Sequence, residues 1–121
     1  MVERIFGQVP SKSNSYKIIS VPGINGKHSS LAKTEALDSY EKSFYLQCSH
    51  YRNKNIKGLF ELHLHVFNSS QRPDLDNALK IILDCLQSSK AIENDRQCVK
   101  IIAEKFVDKK NPRIEFKLIE V

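Results

Sequence analysis

Apolar side chains recur at Leu37, Tyr40, Phe44, Cys48 and Tyr51 in steps of three and four, and predict an amphipathic helix from Ser29 or Ser30 to about residue 51. The same spacing returns at Leu75, Leu79, Ile82, Leu83 and Leu86, marking a second helix over about 75–87. Between the two, Phe60, Leu62, Leu64 and Val66 alternate with Glu61, His63 and His65, a strand over 59–67 with one apolar face. Residues 2–9 read as a first strand with imperfect alternation. Residues 97–107 and 113–121 read as two more, joined by the polar turn 108–112 as a hairpin. Residues 10–28 are punctuated by Pro10-Ser11, Ser13-Asn14-Ser15, Pro22-Gly23 and Asn25-Gly26, and predict a long loop. Loops of that length in small domains tend to be functional.

The resulting order is β-α-β-α-β-β, without repeats or low-complexity tracts. The expected fold class is α/β: a single compact domain over 1–121, with a small mixed sheet packed by two helices. A length of 121 residues suits one domain and excludes a multi-lobed enzyme. Hydrophobic residues at 40% support a modest core, and 27% charged residues with only 4 Gly and 4 Pro exclude extensive disorder. No apolar run approaches the roughly 18 residues of a membrane span. The opening MVERIFGQVP has neither the apolar stretch nor the cleavage site of a secretory signal. Cys48, Cys85 and Cys98 are odd in number and form no C-x-x-C, so they read as reduced thiols, two of them core fillers. A cytoplasmic protein is expected.

Lys and Arg total 19 against 14 Asp and Glu, a net of +5. Residues 1–57 hold nine of these bases and four acids, whereas 58–121 hold ten of each, so the excess lies in the N-terminal half. It gathers in the 12–27 loop and in His50-Tyr51-Arg52-Asn53-Lys54-Asn55-Ile56-Lys57. A polyanion would be drawn to that side, although surface lysine kept for solubility accounts for it equally well.

The most informative stretch is Arg72-Pro73-Asp74-Leu75-Asp76-Asn77-Ala78-Leu79-Lys80. Pro73 disfavours helix at Arg72, and Asp74 is a good helix cap. Two helical residues two apart point about 200° away from each other, so Asp74 and Asp76 converge only with Asp74 at the cap and Asp76 in the first turn. Lys80 lies four residues after Asp76 on one face, and Asp84 four after Lys80, where it is placed to hold the lysine; a surface acid explains Asp84 equally well. Asp95, in Ile92-Glu93-Asn94-Asp95-Arg96, stands at a strand entrance from which it could swing back over the helix N-terminus. Three carboxylates, a lysine and a helix N-terminus suit a hard cation such as Mg²⁺ and a phosphate. Capping and dipole complementarity explain a bare D-x-D without any chemistry. An EF-hand is excluded by the missing Gly, and a D-x-D phosphatase by the polar residues before Asp74.

Weaker signals complete the reading. His63 and His65 share a strand face, as some zinc ligands do, but no further ligand joins them and a half-exposed face suffices. His28 sits in the basic loop. Tyr16 and Tyr51 neighbour basic residues and could stack on unpaired bases, with Tyr51 fitting the core better.

The series Arg72-Pro73-Asp74-Leu75-Asp76-Asn77…Lys80, then Leu83-Asp84-Cys85-Leu86, then Ile92-Glu93-Asn94-Asp95-Arg96-Gln97-Cys98-Val99, resembles the signature of the RusA-type Holliday-junction resolvases. Val9-Pro10-Ser11-Lys12-Ser13-Asn14-Ser15-Tyr16 is similar to that family's opening. Two positions depart from the pattern: Asn94 stands for the first acid of the family's Asp-Asp pair, and Val9 for the first Pro of the opening. The resemblance implies a homodimeric, Mg²⁺-dependent structure-specific endodeoxyribonuclease, with Mn²⁺ able to substitute. It would resolve four-way junctions by paired symmetric nicks leaving 5′-phosphate ends, in recombination and repair. The alternatives are a non-catalytic junction-binding protein, or a nuclease for other branched DNA or RNA. Asp74, Asp76 and Asp95 match the metal-binding aspartates and Lys80 the catalytic lysine; all four are the implied catalytic residues. Lys12, Asn14, Tyr16, Lys17, Lys27, Arg52, Lys54, Lys57 and Arg72 are the expected nucleic-acid contacts. A bacterial or phage-encoded cytoplasmic protein is implied. A two-fold protein makes independent sense for a two-fold junction that needs two cuts.

Overall fold

The computed structural model describes residues 1–11, 15–23 and 26–121, with the backbone alone for 19–31. The chain forms β1 (Glu3–Phe6), β2 (Tyr16–Gly23), β3 (Gly26–Lys33), α1 (Glu35–Gln47), β4 (Phe60–Asn68), α2 (Leu75–Ser88), a 3₁₀ turn (Asp95–Gln97), β5 (Cys98–Val107) and β6 (Arg113–Glu120). A four-stranded sheet in the order β1-β6-β4-β5 is mixed, because β5 runs parallel to β4 while β6 pairs antiparallel with both β4 and β1. The expected α/β class, with two helices on a small mixed sheet, is what the chain adopts.

Two expectations need correction. The stretch 10–28 is not all loop: Tyr16–Gly23 and Gly26–Lys33 pair antiparallel as a separate two-stranded sheet, closed by Gly23 opposite Gly26. Pro22, Gly23 and Gly26 are the hairpin's bend, and the β-branched Ile18, Ile19 and Val21 supply strand propensity ahead of it. This hairpin takes Ser29–Lys33 from the predicted first helix, which begins instead after Thr34, whose hydroxyl accepts the Leu37 N–H at 3.3 Å. The second correction concerns β5 and β6, which are not a hairpin. The segment 108–112 passes the end of β4, where the Asp108 N–H donates to the Asn68 carbonyl at 2.8 Å, and β4 lies between the two strands. The crossover through α2 returns the chain to the start of β4, so β5 must enter parallel to it.

One face of the sheet carries Ile5, Phe60, Leu62, Leu64, Val66, Ile114 and Phe116, and meets the buried stripes of both helices. Those stripes are Leu37, Tyr40 and Phe44 from α1, and Ala78, Ile81, Ile82, Cys85 and Leu86 from α2. Phe44 stacks on Phe116 with centroids 5.8 Å apart and planes 15° apart. Cys48 and Cys85 are buried in this core, where desolvation raises both thiols, Cys48 to about 12. Tyr51 is also core: its hydroxyl donates to the Met1 carbonyl at 2.8 Å and accepts the Leu118 N–H at 3.2 Å. The opposite sheet face is open and bears His63, His65, Arg4, Glu115 and Lys117. Among the described residues, no helix is long and apolar enough to cross a membrane.

Candidate active site

Helix α2 begins where the sequence places it. Asp74 is its cap residue in extended conformation, and Asp76 lies in the first turn, so both carboxylates stand at the positive end of the helix dipole. Asp74 makes no capping hydrogen bond with its side chain. Ordinary capping therefore does not occupy this carboxylate, and both acids are exposed to solvent. The loop before them is held from β5: the Lys105 ammonium donates to the Gln71 and Pro73 carbonyls at 3.3 and 3.1 Å. Nothing in the sequence singles out Lys105, since its role depends on β5 lying parallel beside β4.

Lys80 projects one turn further along the same helix, 52% exposed, with its ammonium 3.1 Å from Asp84 Oδ1. Asp84 is only 20% exposed at its side chain, and its other oxygen accepts the Tyr16 phenol. Burial, then the hydrogen bond and charge of Asp84, raise the Tyr16 phenol above its ordinary range, so it stays protonated and donates. Tyr16 is thus engaged with α2 rather than free to stack on a base.

Asp95 lies elsewhere. It opens the 3₁₀ turn after α2, and its backbone N–H donates to the Gln87 side chain at 3.1 Å, in the last turn of the helix. A 14-residue helix at 1.5 Å per residue spans about 20 Å, which separates Asp95 from Asp74 and Asp76 within one chain. The chain places Asp74 and Asp76 at one end of α2, with Lys80 four residues further along the helix, and carries Asp95 to the other end. In agreement with that separation, no group of three or more His, Cys, Asp or Glu side chains that could hold a metal occurs among the described residues. The carboxylate oxygens are still the donor type that a hard divalent cation prefers, and two of the three stand at one helix mouth.

The basic residues divide in the same way. Arg72 is exposed beside Asp74. Segment 52–57 packs against the far end of α2: the Asn53, Asn55 and Ile56 N–H groups donate to Ser89, Lys90 and Ala91, and the Gln97 side chain donates to the Lys57 carbonyl. Asn53 and Asn55 adopt positive φ there (64° and 50°), a conformation asparagine tolerates better than most residues. Arg52 lies 4.9 Å over the Tyr45 ring, and Lys54 contacts His50 at 3.2 Å, while Lys57 is exposed. Lys17 is exposed on β2. Lys12 and Asn14 lie outside the described residues, as do the side chains of Lys27 and His28. His63 faces Glu61 at 3.1 Å on the open, half-exposed sheet face.

The family model for endodeoxyribonuclease RusA matches residues 22–119 of the 121. That span takes in β4, α2, Asp74, Asp76, Lys80, Asp95, β5 and all but the last residue of β6. No curated protein matches the chain.

Proposed function

The chain belongs to the RusA endodeoxyribonuclease family, whose nucleases resolve Holliday junctions and generally depend on a divalent metal, and from that premise we propose that it is a homodimeric, Mg²⁺-dependent enzyme that nicks four-way DNA junctions symmetrically. The supporting observation is the exposed pair of carboxylates at the α2 N-terminus, with Lys80 one turn further along the helix and the third acid at the opposite helix end. A single chain leaves this set incomplete; a two-fold partner completes it.

Strand β5 is where a partner fits. It is an edge strand of ten residues, and Val99, Ile101, Ile102, Phe106 and Val107 on it are each between 38% and 53% exposed. A long apolar edge invites pairing with another strand. Antiparallel β5–β5 pairing across a two-fold axis would set the start of one β5 against the end of the other. The partner subunit's Asp95 then comes to the end of the sheet where Lys105 holds the Gln71–Pro73 loop ahead of Asp74. The partner's 52–57 segment follows it, adding Arg52, Lys54 and Lys57 to Arg72 around the same scissile position. The +5 net charge supports phosphate contact with little sequence readout.

Asp74 and Asp76 of one chain with Asp95 of the partner subunit would hold the cation. When bound, it lowers the pKa of a water and neutralises phosphodiester charge. Lys80 places a positive charge on the oxygens that become more negative as the phosphate is attacked. Arg72 binds the neighbouring phosphate and orients the strand. Two such sites related by two-fold symmetry match two strands to be cut.

A synthetic mobile four-way junction with Mg²⁺ tests the proposal. The parent should give paired nicks with 5′-phosphate ends and leave linear duplex intact, and Asp76→Asn should bind the junction but cut at least roughly 10²-fold more slowly. A folded Asp76→Asn variant that cuts at the parental rate contradicts the metal role. Preferential cutting of flaps, linear duplex or RNA contradicts the junction preference.

A further inference from the structure

We propose that Asp84 is the positioning residue for Lys80, and that Tyr16, through Asp84, ties the placement of that lysine to the base of the β2–β3 hairpin; this rests on the assignment of Lys80 to the reaction above. An exposed lysine paired with an acid four residues on in a helix is ordinarily a loose arrangement of little consequence. This pair differs in how its acid is held. Asp84 is mostly covered, and its two oxygens are divided between two partners: Oδ1 takes the Lys80 ammonium at 3.1 Å, and Oδ2 takes the phenol of Tyr16, 68 residues away in sequence. The phenol stands at the first residue of β2, opposite Lys33, the last residue of β3. Next to that pair, the Thr34 N–H donates to the Ser15 carbonyl at 2.9 Å, so the hairpin base is anchored on both strands.

The consequence is geometric. With one oxygen fixed by a phenol from another element, the Asp84 carboxylate cannot rotate freely, and the lysine it holds is confined to one side of α2. That side also carries Asp76, four residues before Lys80 on the same helix face. Confinement of a four-carbon side chain before substrate arrives removes an ordering cost from the reacting complex. The hairpin also carries Lys17 and Lys27, so a hairpin that docks on a DNA arm is joined through Tyr16 and Asp84 to the lysine at the cut.

The test is a double-mutant cycle on the full-length protein. Single-turnover cleavage of a synthetic four-way junction is measured with Mg²⁺ and excess protein, and junction affinity separately with Ca²⁺ in its place. Asp84→Ala should slow cleavage roughly ten- to hundredfold, as loss of a group supporting a reacting side chain does, with the junction Kd changed by less than about twofold. Combined with Lys80→Ala, it should slow cleavage by less than about a further twofold, because a residue acting through Lys80 has nothing left to position. Tyr16→Phe, which keeps the ring and removes only the donor, should slow cleavage by a smaller factor, and have no effect on rate in the Asp84→Ala background. Asp84→Ala at the parental rate, or losses that multiply in the double variant, overturns the inference while leaving the nuclease assignment intact. If Asp84→Ala does not fold, Tyr16→Phe alone decides: no change in rate overturns the inference. A parent that cuts no branched DNA, or a Lys80→Ala variant as fast as the parent, overturns the assignment of Lys80 and the inference with it.

Discussion

Asp74 separates two uses of an acid at a helix start. A capping aspartate accepts a backbone N–H, and its loss typically costs about 1 kcal/mol. Asp74 occupies the cap position without making that bond. Asp74→Ala should therefore lower stability in urea by well under the about 1 kcal/mol of a bonded cap, yet abolish cleavage; a loss of stability as large as a bonded cap's would return Asp74 to a structural role. Arg113 shows the reverse case, an arginine used entirely for structure. Its guanidinium contacts Asp108 at 2.8 Å and Glu115 at 2.9 Å, and lies 3.8 Å over the Phe67 ring. Hydrogen bonding to Arg113 holds Asp108 below the usual carboxylate range; at Glu115 burial pushes upward, but Arg113 and Arg4 more than offset it, and the net shift is also downward. Carboxyls lowered in the folded state stabilise it above their unfolded pKa, near 4, and that contribution disappears as pH falls through the lowered values. The thermal midpoint should thus fall from pH 5 toward pH 2, and Arg113→Gln should flatten that fall; an unchanged acid limb would contradict the role given to Arg113.

At the scale of elements, the parts that periodicity could identify are those with one apolar and one polar face. Helix α2 was legible almost to the residue, because Leu75 to Leu86 keep a helical stripe and Pro73-Asp74 marks its start. The β2–β3 hairpin was not, since the Pro22-Gly23 and Gly26 positions where its strands end read equally as loop. Nor could alternation within β5 and β6 say that β4 would lie between them, because a strand's pattern identifies its buried face and not its neighbour. Phe44 is where α1 and the sheet depend on each other, fully buried and stacked on Phe116. Phe44→Ala should cost about 3–5 kcal/mol, read as a shifted denaturation midpoint; a cost under about 1 kcal/mol would mean that α1 is not docked through this ring.

For the molecule as a whole, the sequence offers Asp74, Asp76 and Asp95 as candidate acids, and the fold sets how far apart they stand. Asp95 follows α2 in the chain, and the helix itself carries it away from Asp74 and Asp76. The sign of this lay in the length of the helical stripe rather than in any motif, because a helix of about 20 Å between Asp74 and Asp95 keeps them apart within one chain. In the proposed dimer a second copy would both cover the exposed apolar β5 edge and bring the divided carboxylates together. Ile101→Asp on that edge should yield a monomer in sedimentation and stop cleavage while the fold persists, and a monomer that still cuts would place the whole site within one chain. The most direct measurement mixes two inactive variants. Asp76→Asn and Asp95→Asn chains, co-expressed and purified as mixed dimers through different tags, form one site lacking both acids and one site with all of its acids intact, if each site takes its Asp95 from the partner. Such mixed dimers should nick one strand of a four-way junction, whereas each variant alone should not; mixed dimers that bind the junction and leave both strands whole would contradict a shared site.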